Sequence, residues 1–146
     1  MPNTYQHILA PVDSSAAAQA AFNEAVNIAQ RHQANLTALY VVDDSAYHAP
    51  ALDPVLHELL DAEAAHAEAD MADRRQFVQT TTVTHFKTEV AYGNPKRLIE
   101  AFAKQHPEID LIVLGATGKD SPNRVAVGST TSYVVDHAPC NVIVIR

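Results

Sequence analysis

A chain of 146 residues, 47% of them hydrophobic, is long enough to bury one core and too short for two comfortable ones. Its formal net charge of -7, with the acidic groups dispersed, argues against general attraction to nucleic acid or to an anionic membrane surface. The single cysteine, Cys140, excludes an internal disulfide, and no stretch reaches membrane-spanning length or opens like a secretory leader, so the expected compartment is the reducing cytoplasm.

Ile8 to Val12 is an apolar run ending at Asp13, with Ser14 and Ser15 placed to cap a helix. From Ala16 to His32, Ala18, Ala21, Phe22, Ala25, Val26 and Ala29 recur at helical spacing, which predicts a strand passing into a helix. Leu36 to Val42 is rich in β-formers and closes on the acidic turn Asp43 and Asp44. Residues 45–53 contain Pro50 and show no period, as in a surface loop. Asp53 and Pro54 then read as cap and first turn of a second helix, with Val55, Leu56, Leu59, Leu60, Ala64, Ala67 and Met71 on its inner face.

The threonines at 80–82 and the weak alternation through Val90 predict a third strand near the sheet edge. Asn94 and Pro95 start a third helix that turns Leu98, Ile99, Phe102 and Ala103 inward and is limited by Pro107. A fourth strand runs to Leu114. Residues 129–137 are β-branched enough to suggest strand, yet the preceding loop and Pro139 predict a short helix. Cys140, expected to be buried and inert, opens the last apolar run to Ile145. Strands alternating with helices through short connections predict an α/β fold, a mostly parallel open sheet with helices on both faces.

Three of the four glycines, Gly115, Gly118 and Gly128, fall between the fourth strand and the last helix. There they are expected to allow positive φ and to let main chain approach a ligand. A helix start flanked by Ser129 and Thr130 would aim backbone amides and a positive dipole at that loop, a combination suited to phosphate. Lys119 and Arg124 either meet the anion or are solvated loop charges. The loop is not a Walker motif, because Ser or Thr does not follow Lys119, and the first strand's loop holds no dinucleotide fingerprint. Asp13 has two readings, a nucleotide or Mg²⁺ partner and a helix N-cap. His57, Glu58 and Asp61 come near a metalloprotease pattern but read as a solvated helix face. Ser129 has no base partner in sequence and no nucleophile elbow is present, so no catalytic residue is predicted.

The spacing G-x-x-G-x9-G-S/T, the Ala10–Asp13 strand tip, the Gly93-Asn94-Pro95 helix start and the closing run from Pro139 to Ile145 together resemble the universal stress protein family, in its ATP-binding branch. The resemblance covers almost the whole chain. It implies a single Rossmann-like domain with strand order 3-2-1-4-5, whose switch point between the first and fourth strands would bring Asp13 and Gly115 to one cleft. It further implies ATP with Mg²⁺ bound through the phosphates. The adenine end would be lined by Pro11, Val12, Asp13 and Val41. The ribose and triphosphate would be wrapped by Gly115, Ala116, Thr117, Gly118, Lys119, Arg124, Val127, Gly128, Ser129 and Thr130, while Asp13 as the metal's partner stays one of its two readings. A homodimer through residues 142–145 and a regulatory role under stress are implied as well, a slow ATPase being the alternative. The chain departs from the family at Ser14, where glycine is usual, and at Thr117, where His or Arg is common.

Overall fold

The computed structural model describes residues 4–44, 54–117 and 127–146. Five strands, β1 (His7–Val12), β2 (Asn35–Asp43), β3 (Phe86–Gly93), β4 (Leu111–Gly115) and β5 (Asn141–Ile145), form one sheet. Its order is β3-β2-β1-β4-β5 and every pairing is parallel. The helices are α1 (Ala16–His32), α2 (Pro54–Gln79), α3 (Pro95–Gln105) and α4 (Ser129–His137). The expected α/β fold, element order and strand order are all present.

Successive side chains of a strand point to opposite faces, and here each face has its own helices. Ile8, Ala10, Val12, Leu36, Tyr40 and Val113 pack on α1 and α2. Leu9, Leu39, Val41, Ile112 and Leu114 pack on α3 and α4. The connections therefore change face and direction where β1 meets β4, which opens a crevice beyond the carboxyl ends of those two strands. Among the described residues no helix is long and apolar enough to cross a membrane.

The inner stripe of α1 is as predicted, with Ala18, Ala21, Phe22, Ala25, Val26 and Ala29 all buried. That of α2 is shifted. Ala67, Met71, Arg74 and Val78 are buried, whereas Val55 is 60% and Leu59 50% exposed. Positions 56, 60, 64, 67, 71, 74 and 78 form one helical row, and Val55 and Leu59 lie about 100° off it. The threonine run also belongs elsewhere. Thr80 and Thr81 donate their hydroxyls to the carbonyls of Phe77 and Val78, 2.7 and 2.6 Å away, and close α2 rather than opening β3. Local hydroxyl bonding at a helix end overrides β propensity there. The proline-rich loop and its cap at Asp53 lie outside the described residues.

At the end of β3, Gly93 has φ 151°, and a β-carbon there would stand 3.0 Å from Leu98 Cδ1. Glycine is needed at this point for both backbone and space.

Candidate functional site

All four helices follow the carboxyl ends of strands, and the starts of α1, α3 and α4 are built differently. Ser15 is the N-cap of α1 and its Oγ accepts from the Ala18 N–H at 3.0 Å. Asp13 is not that cap; its Oδ1 accepts the Ser15 N–H at 2.8 Å, which shapes the turn leading into the helix. Gln33 is the one described non-glycine residue with positive φ, so Ser14, where the resemblance led to an expectation of glycine, stands without backbone strain. The carboxamide of Asn94 accepts from the Arg97 N–H at 3.4 Å, and Pro95 fills the first turn of α3. The third start, that of α4, has Gly128 as its N-cap and no side-chain cap bond. The first-turn amides of a helix have no partner within the helix, so this start offers donors and partial positive charge to whatever sits before it.

The start of α4 is fixed from behind. The Thr131 hydroxyl, buried, donates to the Gly115 carbonyl at 2.6 Å. The Gly128 N–H donates to the Ala116 carbonyl at 2.7 Å, and the Ala116 N–H to the Ile145 carbonyl at 2.9 Å. Farther along, the Tyr133 hydroxyl donates to Glu100 Oε1 and the Lys104 ammonium to Glu100 Oε2, each at 2.6 Å, which braces α4 against α3. The ammonium first and the phenol second hold the Glu100 carboxyl below its ordinary range.

Gly115 lines the cavity but does not take the conformation expected of it. Its φ is not positive, and a β-carbon on it would stand 2.9 Å from the Ala17 carbonyl oxygen. The residue is small so that β4 can pass close to the first turn of α1. The close approach is to helix backbone.

That crevice is a cavity of about 410 Å³, within the range of small-molecule sites. Of the predicted residues, Pro11, Val12, Asp13, Val41, Gly115, Thr117, Gly128, Ser129 and Thr130 line it. Ala116 is buried and Val127 is 36% exposed, and neither is in the lining. Gly118, Lys119 and Arg124 lie outside the described residues. The structure adds residues that sequence reasoning missed. Leu39, Ile99 and Leu114 make an apolar wall, Pro95 brings in the start of α3, and Tyr40, Asp43 and Glu63 bring polar groups. Asp43 had a signal, because it ends β2 as Asp13 follows β1. Glu63 had none, since only packing brings the middle of α2 over the sheet.

The lining thus combines apolar side chains with a helix start that carries the hydroxyls of Ser129 and Thr130. The combination suits a ligand with an apolar part and an anionic part. Among the described residues of the lining there is no His, Cys, Lys or Arg, and among all described residues no cluster of metal-ligating side chains. Cys140 is only half-buried, and burial raises its thiol pKa.

Comparison with known proteins adds the family. A solved structure of the universal stress protein UspA from Lactobacillus plantarum is 78% identical, with a TM-score of 0.94 over 99% of this chain and 100% of that one. A universal stress protein solved in complex with cAMP is 17% identical, with a TM-score of 0.73 over 99% of this chain and 98% of that one. A universal stress protein family protein from Arabidopsis thaliana, solved with AMP bound, is 16% identical, with a TM-score of 0.59 over 96% of this chain and 90% of that one. At such identities the last two share the fold. The model of the universal stress protein family matches residues 4–146, and the chain belongs to that family.

Proposed function

We propose that this chain binds ATP with Mg²⁺ in the crevice between β1 and β4, and that the bound form, a homodimer in the cytoplasm, is a regulatory signal rather than an enzyme. The observation that carries the reading is the α4 start. Its Gly128 cap leaves the first-turn amides uncovered by a capping side chain, directly beside the apolar wall of Leu39, Val41 and Ile99. Family members holding cAMP and AMP support an adenine ligand. In this reading the base lies between Val41 and the Pro11–Asp13 tip, and the phosphates meet Gly128, Ser129 and Thr130. Gly118, Lys119 and Arg124, outside the described residues, are proposed as further phosphate contacts on the strength of the sequence.

Mg²⁺ keeps most of its waters and takes few protein carboxylates, and Asp13 is the side chain proposed to receive it. The ion would offset phosphate charge in a cavity whose described lining offers acidic groups and no cation. Dimerisation is proposed through β5, which among the described strands pairs with β4 alone and presents the half-buried Val142–Ile145 along the sheet edge. A ligand present at about 100 times its Kd stabilises the folded state by roughly 2.7 kcal/mol, enough to report nucleotide level through conformation.

Mass spectrometry of small molecules released from freshly purified protein tests the reading, and ATP is the expected finding. Protein that carries no nucleotide and does not shift its melting temperature with Mg-ATP overturns it. A slow ATPase is the second reading, because Asp13, Asp43 and Glu63 are carboxylic side chains able to order a water. A phosphate-release assay with Asp13→Ala as control separates turnover from binding.

A further inference from the structure

Among the described residues, Arg74 is the one charged residue that is buried, at 4% exposure. It stands on the inward row of α2 between Met71 and Val78, where the helix otherwise presents apolar groups. Its guanidinium carbon lies 4.7 Å from the centre of the Phe22 ring. Nε donates to the Asp70 carboxylate at 3.1 Å, and Nη2 makes a long contact of 3.5 Å with the Asp13 main-chain carbonyl. Nη1 is buried and has no hydrogen-bond partner among the described residues.

Stability does not account for a guanidinium here. A buried charge with an unsatisfied donor is costly, and an apolar side chain would remove that cost while leaving the Asp70 carboxylate, 22% exposed, to solvent. What an apolar residue lacks is the pull on the Asp13 carbonyl. Asp13 is the residue that follows β1, its carboxylate shapes the turn into α1 through the Ser15 N–H, and it lines the cavity. The guanidinium therefore reaches the main chain of the β1–α1 turn at the Asp13 carbonyl while Asp70 and Phe22 hold it in place. It also sets a fixed positive charge near a cavity whose described lining includes Asp13, Asp43 and Glu63.

We propose that Arg74 is a positioning residue of the nucleotide site, acting through the main chain of Asp13 to hold the β1–α1 turn in its ligand-receiving shape. The inference rests on the nucleotide reading for its purpose and on the Arg74–Asp13 contact for its mechanism, so the two are tested separately. In the full-length, nucleotide-free protein, hydrogen exchange at the amides of residues 14–18 is compared between wild type, Arg74→Met and Arg74→Lys. Mg-ATP affinity is then measured by calorimetry on the same samples.

For Arg74→Met, exchange in that turn is expected to rise about tenfold and Mg-ATP affinity to fall about tenfold, the equivalent of one charge-assisted hydrogen bond. The nucleotide-free melting temperature is expected to stay within about 3 °C of wild type. Arg74→Lys should recover part of both effects, since an ammonium keeps the charge but not the fork that serves Asp70 and Asp13 together. Wild-type exchange in Arg74→Met overturns the proposal, as does faster exchange with unchanged ATP affinity. Should wild type bind no adenine nucleotide, the proposed function falls, and the exchange comparison alone still decides whether Arg74 holds the turn. Should the Met variant fail to fold, the Lys variant carries the test: a turn and an affinity both at wild-type values with the fork removed overturn the proposal.

Discussion

The two ends of this sheet are finished in opposite ways. At the amino end the chain satisfies its own backbone. The two oxygens of the Asp110 carboxylate accept the N–H groups of Gln6 and His7 at 2.9 and 3.1 Å, and His32 Nδ1 accepts the Tyr5 N–H at 2.8 Å. His7 Nε2 and the Thr37 hydroxyl, 3.0 Å apart, tie β1 to β2. At the carboxyl end, α1 and α3 are capped by Ser15 and Asn94, yet α4 begins at a glycine that caps nothing. Buried or half-buried backbone groups seek partners wherever they are. One end is therefore finished by side chains of the fold itself, whereas at the other, among the described residues, the α4 start has no side-chain cap.

Substitutions that move groups at either end sharpen this contrast. The largest effect is expected from Gly115→Val, because even a β-carbon would reach 2.9 Å from the Ala17 carbonyl oxygen. Overpacking of this kind costs about 1–3 kcal/mol, or more where the obstacle is backbone, and the crevice is deformed with it. A thermal melt should show the loss, and Mg-ATP should no longer raise the melting temperature. A melt like that of wild type would mean that β4 and α1 can separate without consequence.

Asp110→Ala should cost somewhat less, about 1–2 kcal/mol, by leaving two amides without their acceptor. Its effect should be confined to stability: denaturant midpoints fall while nucleotide affinity is unchanged. An affinity loss comparable to the stability loss would show that the two ends are not independent.

The smallest effect concerns pH. Burial, the leading cause, lowers the His7 pKa below its ordinary 6.5, against the opposing pull of Glu108 and Asp110 and with help from Lys87 and His106. The folded form then takes up its proton at lower pH than the unfolded chain. The stability this contributes is complete above pH 6.5 and is lost as pH falls through 6.5 toward the folded value. His7→Gln keeps a polar partner for Thr37 and should flatten the acid side of the stability profile. An unchanged slope between pH 7 and pH 5.5 would assign the acid sensitivity to other groups.

Much of this architecture is legible in the residues themselves. The stripe of α1 is unbroken, Asn94 and Pro95 mark a helix start by their chemistry, and apolar runs separated by helical periods leave few alternatives to a parallel sheet. The α2 face misleads because its buried row includes Arg74 while the apolar Val55 and Leu59 sit one position off it. Periodicity counts hydrophobic residues, and a buried cation is invisible to it. At the site, the strand tips and the α4 start are readable from local pattern. Thr131, Glu63 and the actual reason for Gly115 are not, because each depends on what a distant segment brings alongside.

Above all, the start of α4 is held to be uncapped for the sake of an anion. Gly128 has φ -65° and ψ 161°, an extended conformation that any residue can adopt, so Gly128→Asp can supply the cap that the chain omits. The decisive experiment is calorimetric titration of this variant with Mg-ATP, beside a melt of the nucleotide-free protein. Nucleotide-free stability should equal that of wild type or exceed it by a few tenths of a kcal/mol, and ATP affinity should fall by about a hundredfold or more, as the new carboxylate occupies the amides and repels phosphate. A correctly folded Gly128→Asp protein that binds ATP as wild type does would refute the anion role of this helix start.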